Sequence, residues 1–218
     1  MNRIYPDING NLRNGNIELF LEIVVDNYLK MQENKKACSK AMDELKMQKA
    51  QPPYLTKRKQ EEQQLKILSS CSNLKLTIQS IVVLNTFFES LINEIGIIEL
   101  GETYYKKNLD SLNASAKWEL VLKLIYQKGL NKESQYYENI KLLTKSRNSL
   151  IHYKSFKIPD NKIDSISKSL NNTLQHEKIL EKTIESLNAF FIDLNEIIKE
   201  RKILQWSDIN NQLQRLEG

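Results

Sequence analysis

The sequence predicts an all-α protein: an antiparallel bundle of at least four long helices with essentially no strand. Three observations carry that expectation. Glycine and proline are scarce, six and four in 218 residues, so few positions interrupt a helix. Leucine, isoleucine, lysine and glutamate are abundant, and most of these are good helix formers. Apolar residues recur over long stretches at alternating spacings of three and four, the period of one helical face.

Residues 1–15 hold Pro6, Gly10, Gly15 and several asparagines and read as an irregular lead-in. From there the apolar positions run Ile17, Leu21, Val24, Tyr28 and Met31, then Cys38, Met42 and Leu45, with Lys35 the one break. This is a coiled-coil-like seam sustained for about four heptads. Pro52 and Pro53 stop it, since neither has a backbone N–H to donate. The expected organisation is therefore an N-terminal helical extension over 1–53 and a helical bundle over 54–218.

A second helix is expected from Thr56 to Gly96, polar in its first turns and later the most apolar segment of the chain. Within it Asn85, Glu89 and Asn93 recur one turn apart, a polar ribbon that is either a solvent face or the lining of a site. Gly96 and Gly101 end this helix, and a short connection leads to a third, from about Ser111 to Lys128. That helix carries Trp118, Leu120, Val121, Leu124 and Ile125, with Gly129 as the C′ residue. Asn131 caps the fourth helix, which passes through Tyr137, Ile140, Leu143 and Leu150. Pro159 interrupts the chain and Asp160 caps a fifth helix over 161–203, with a seam at Leu180, Ile184, Leu187, Phe191, Leu194 and Ile198. A short last helix follows Ser207, anchored by Trp206.

Composition narrows the function classes. With 40% hydrophobic and 27% charged residues the chain is globular rather than disordered. A formal charge of +5 is compatible with an RNA partner without identifying one, because lysine and glutamate are interleaved. Cys38 and Cys71 are too far apart for a Cys-x-x-Cys pair and imply neither a disulfide framework nor a zinc site. The first residues lack the apolar core of a signal peptide, and the uncharged stretch Leu76 to Phe88 is too short to cross a bilayer, so a cytoplasmic protein with no membrane partner is expected. No Gly-rich phosphate loop, His-Glu-x-x-His pair or nucleophile elbow is present, and no cofactor or metal is expected.

One run is not explained by packing: Lys145-Ser146-Arg147-Asn148-Ser149-Leu150-Ile151-His152-Tyr153-Lys154. It holds one of only two histidines. On a helix Asn148 and His152 lie one turn apart on one face, with Arg147 about 140° from His152. Histidine suits proton transfer near neutrality, its reference pKa being about 6.5. Arginine suits a phosphate, because its planar guanidinium donates two parallel hydrogen bonds and keeps its charge. The other histidine, His176, sits in a polar part of the fifth helix and reads as a surface residue.

The run Arg147-Asn148-Ser149-Leu150-Ile151-His152 resembles the signature of the HEPN superfamily: Arg followed by a polar residue, then His after a short spacer. The resemblance covers roughly residues 65–200, including an apolar helix with an embedded glutamate, here Glu89, ahead of the Arg–His helix. Many HEPN proteins are metal-independent ribonucleases of toxin–antitoxin, abortive-infection and phage-defence systems; others bind nucleotides or serve as scaffolds. The resemblance implies RNA cleavage by attack of the 2′-hydroxyl on the adjacent phosphate. His152 would move protons, Arg147 would bind the phosphate, and Asn148 and Glu89 would orient them. It also implies a homodimer that brings two Arg–His pairs into one composite site, with a possible antitoxin partner. Some HEPN toxins carry a tyrosine two residues after the histidine, where a partner antitoxin modifies it. Here Tyr153 follows His152 directly and Lys154 occupies that position. Two other classes compete: a non-catalytic helical interaction module, and a nucleotide-binding protein that would need Arg147 but not His152.

Overall fold

The computed structural model describes residues 3–6, 12–15, 17–49, 57–70, 72–151, 162–198 and 206–217. The chain opens on a hairpin of β1 (Arg3–Pro6) and β2 (Leu12–Gly15), paired antiparallel with Arg3 opposite Gly15 and Pro6 opposite Leu12. This corrects the expected irregular lead-in. Pro, Gly and Asn punctuate hairpins as well as loops, and in a two-stranded ribbon both strands are edges, where proline is tolerated. All other regular structure is helical: α1 (Ile17–Lys49), α2 (Lys57–Ser70), α3 (Leu74–Leu100), α4 (Glu102–Asn108), α5 (Ala114–Tyr126), α6 (Gln135–Ile151), α7 (Lys162–Glu185), α8 (Leu187–Ile198) and α9 (Trp206–Glu217).

Several boundaries differ from the sequence reading. The second helix is two helices, α2 and α3, with Asn73 at the N-cap of α3. The buried Asn73 side chain accepts from Asn34 Nδ2 at 2.8 Å and donates to the Met31 carbonyl at 3.2 Å, which ties the junction to α1. Next, α3 does not end at Gly96 but continues to Leu100. Gly96 is there for closeness: a Cβ would lie well inside van der Waals contact with the Tyr105 ring. The connection after Gly101 is itself the helix α4, which folds back so that the Tyr105 hydroxyl donates to Asn93 Oδ1 at 2.6 Å. Because α4 absorbs that reversal, α5 runs parallel to α3, with Lys117 near Glu89 at one end and Leu124 sharing a groove with Leu100 at the other. The bundle is thus not antiparallel throughout.

The residue in the left-handed region after α5 is Gln127 (φ 57°) rather than Gly129. At α6, the Ser134 hydroxyl accepts from the Tyr137 N–H at 3.3 Å and takes the capping role, while Asn131 Oδ1 accepts from the Glu133 N–H in the turn ahead. Finally, the expected fifth helix divides at Ser186 into α7 and α8. Asn139 of α6 reaches across and donates to both the Lys182 carbonyl (2.9 Å) and Ser186 Oγ (3.1 Å). At this point the Ser186 N–H is shared between the Lys182 and Thr183 carbonyls, each at 3.2 Å.

The core is wrapped around α3, which touches α1, α4, α5, α6 and α7. Its length and composition would allow it to cross a bilayer, but 56% of its most apolar window is buried inside the bundle. Phe190 of α8 is the aromatic hub, edge-on to Phe88, Trp118, Tyr136 and Phe191 at centroid distances of 5.1–5.9 Å. Ile17, Leu21, Val24, Val25 and Met31 of α1 belong to the same core, as do all six apolar seam positions predicted from Leu180 to Ile198. Lys35, the break in the first seam, pairs with Glu177 at 2.8 Å and with Glu181. Helix α9 lays Ile209 and Leu213 onto this core, and its Arg215 pairs with Asp26 of α1.

Gly96→Ala should destabilise the protein by about 1–3 kcal/mol, because the added methyl must push the Tyr105 ring off its seat. Urea unfolding would measure this; an unchanged midpoint would show that α4 is free to move away from α3.

Candidate functional site

The polar ribbon on α3 is neither a solvent stripe nor the lining of a single site. Each member meets a different helix. Asn85 is buried and its Oδ1 accepts from Thr144 Oγ1 of α6 at 2.9 Å. Glu89 lies near Lys117 of α5, Oε1 to Nζ 4.0 Å. Asn93 accepts from Tyr105 of α4. The Lys117 side chain is 3% exposed and also sits 3.9 Å from Asp110 and over the Tyr105 ring. Burial first, then the negative charges of Asp110 and Glu89, raise the pKa of the Tyr105 hydroxyl.

Arg147 and Asn148 are bonded to each other. Both lie near the C-terminal end of α6, Arg147 half-buried and Asn148 exposed, and Arg147 Nη1 donates to Asn148 Oδ1 at 3.0 Å. Among the described residues no carboxylate pairs with Arg147; the ionic contact of Glu89 is Lys117. The antiparallel sense of α3 and α6 explains why. Phe87 packs on Phe191 while Leu100 and Ile198 share a groove, so α3 runs parallel to α8. Helix α6 runs antiparallel to α7 and α8, pairing Ser146 with His176, Asn139 with Ser186 and Tyr136 with Asp193. One turn along α3 from Asn85, Glu89 is therefore displaced by about 6 Å away from the Arg147 end of α6. His152 and Tyr153 lie outside the described residues.

His176 is not a surface histidine. It is half-buried, and its Nδ1 shares a hydrogen bond with Ser146 Oγ, the residue before Arg147. Burial holds its pKa below the usual 6.5. No spacing in the sequence could announce this pair, because the partners are 30 positions apart on separate helices. Beside it, Lys35 is held by Glu177 and Glu181: burial works to lower its pKa, but the two carboxylates outweigh it and raise the value. Among the described residues, no group of three or more His, Cys, Asp or Glu side chains could hold a metal ion.

What the Arg147 end of α6 offers chemically is a fixed positive charge held by a neutral amide, next to a helix braced on two sides. Thr144 ties α6 to α3, and Ser146 and Asn139 tie it to α7.

The buried histidine has a pH signature. A histidine whose folded pKa is depressed takes up its proton more readily in the unfolded chain, so it withdraws stability as the pH falls from about 7 towards 5 and has no effect above that range. His176→Gln keeps a group that can bond Ser146 but cannot titrate. Unfolding free energies across that range should fall less steeply for this variant than for the wild type, and equal slopes would show that His176 is solvated. No family model matches the chain, and no curated protein and no solved structure matches it either.

Proposed function

We propose that this chain is an endoribonuclease of the HEPN type, cleaving RNA without a metal ion in the cytoplasm as a toxin or phage-defence effector. The observation that carries the reading is the state of Arg147. Its Nη1 donates to the neutral Asn148 amide, so the guanidinium charge is oriented without being neutralised and its remaining N–H groups can take a phosphate. His152, five residues on, supplies proton transfer to or from the 2′-hydroxyl or the leaving 5′-oxygen, and the Arg147 charge steadies the crowded phosphate between them. The reaction needs both a base and an acid. A two-fold homodimer that joins two such sites supplies the second histidine, and a partner antitoxin is the natural means of restraint.

A second reading, a non-catalytic module that binds a protein partner, draws on Leu120 and Leu124. These lie one turn apart on α5 and are 43% and 53% exposed.

Activity assays separate the two. Single-stranded RNA should be cut in excess EDTA, leaving 2′,3′-cyclic phosphate or 3′-phosphate and 5′-hydroxyl ends. His152→Ala and Arg147→Ala should each abolish cleavage while helicity and melting temperature stay unchanged. Cleavage that depends on magnesium, or that survives in the His152 variant, would rule the mechanism out. Mixing wild type with excess His152→Ala should depress activity below simple dilution, since loss of a positioned acid or base costs about 10²–10⁴-fold; independent single-chain sites would show dilution alone.

A further inference from the structure

The α3 residue that meets the Arg147 end of α6 is Asn85, and its environment frees its amide nitrogen. Asn85 is 6% exposed, with Oδ1 2.9 Å from Thr144 Oγ1. The Thr144 hydroxyl has one proton and two acceptors in reach, Asn85 Oδ1 and the Ile140 carbonyl at 3.0 Å. Inside α6 the Ile140 carbonyl already accepts the backbone N–H of Thr144. Asn85 Oδ1 is thus one of two acceptors for that hydroxyl, and among the described residues it has no other donor. With Oδ1 engaged, Asn85 Nδ2 keeps two N–H groups that donate to nothing among the described residues.

Thr144, Arg147 and Asn148 stand at i, i+3 and i+4, which places them on one side of the helix. The hydrogen bond from Arg147 occupies Asn148 Oδ1 and leaves that amide nitrogen free as well. Asn85, which meets Thr144, therefore lies within about one turn of α6 from Arg147 and Asn148, and among the described residues no carboxylate is bonded to any of the three. Thr144 and Arg147 differ by about 4.5 Å of helix rise, a distance that one phosphate group with its hydrogen bonds spans.

We propose that Asn85, and not Glu89, is the α3 member of an oxyanion site completed by Arg147 and Asn148, where it donates to a non-bridging oxygen of the bound phosphate. Thr144 is a positioning residue that acts through Asn85. The naming of RNA as the source of that phosphate rests on the ribonuclease reading; the anion site itself does not. A neutral donor suits this position because a carboxylate facing the same oxygens would repel them.

Two probes keep the two ideas apart. In the first, inorganic phosphate is added to the full chain while NMR follows the Asn85 side-chain amide and Arg147 Nε–H; both resonances should shift together. In the second, fluorescence anisotropy follows a short 2′-O-methyl RNA, which lacks the attacking hydroxyl and is not cut. Asn85→Asp keeps the acceptor for Thr144 but replaces the donor with a charge, and should weaken RNA binding at least about tenfold. Thr144→Val should weaken it about two- to tenfold, and Glu89→Gln should leave it unchanged. If Arg147→Ala loses RNA while Asn85→Asp binds like wild type, Asn85 is not in the site. If phosphate moves neither resonance, there is no anion site here, whatever the RNA result. If phosphate moves both but the chain neither binds nor cuts RNA, the anion site stands and the ribonuclease reading falls.

Discussion

The constraint on which the rest of the structure depends is the burial of α3 together with the three polar side chains it turns toward its neighbours. Burying the Asn85 amide without a partner would cost about 1–3 kcal/mol, and each of the three side chains meets a partner on a different helix. Thr144 answers Asn85, Lys117 faces Glu89 and Tyr105 answers Asn93. The positions of α6, α5 and α4 against the central helix follow from these contacts as much as from the apolar surfaces between them. Gly96 belongs to the same constraint, because the Tyr105 ring, whose hydroxyl reaches Asn93, has its edge where a side chain at position 96 would stand.

Helix α6 is held from two sides, and that matters for whatever its C-terminal end does. On one side Asn139 and Ser146 bond to α7, at Lys182, Ser186 and His176. On the other, Thr144 bonds to Asn85. These contacts bracket the two turns before Arg147 and Asn148, so the pair projects from a rigid element rather than from a loop, the arrangement that holds a binding group in place before its ligand arrives. The same bonding falls at the junction of α7 and α8, where the Asn139 amide reaches the Lys182 carbonyl and Ser186 Oγ.

Several cations among the described residues are paired with carboxylates. Lys35 pairs with Glu177 and Glu181, Lys132 with Glu119, and Arg215 with Asp26; even the buried Lys117 has Glu89 and Asp110 about it. Their charges are balanced where they stand. Arg147 is held by an amide, which leaves its charge open to an anion.

The helical class, the seams of α1 and of α7 and α8, and the α6 run carrying Arg147 and Asn148 were legible in the sequence, because periodicity and short-range spacing are local properties. The order of the helices was legible too, apart from α4, whose seven residues read as a connection, and the two interruptions at Asn73 and Ser186. Those interruptions are met by side chains of α1 and α6, distant in sequence, so no local pattern contains these contacts. The tertiary structure alone decided that Asn85 rather than Glu89 meets α6, and that Glu89 faces Lys117. It alone brought His176 to Ser146. A helix pattern shows which residues share a face but not which neighbour that face meets. That pairing is set by how the helices pack.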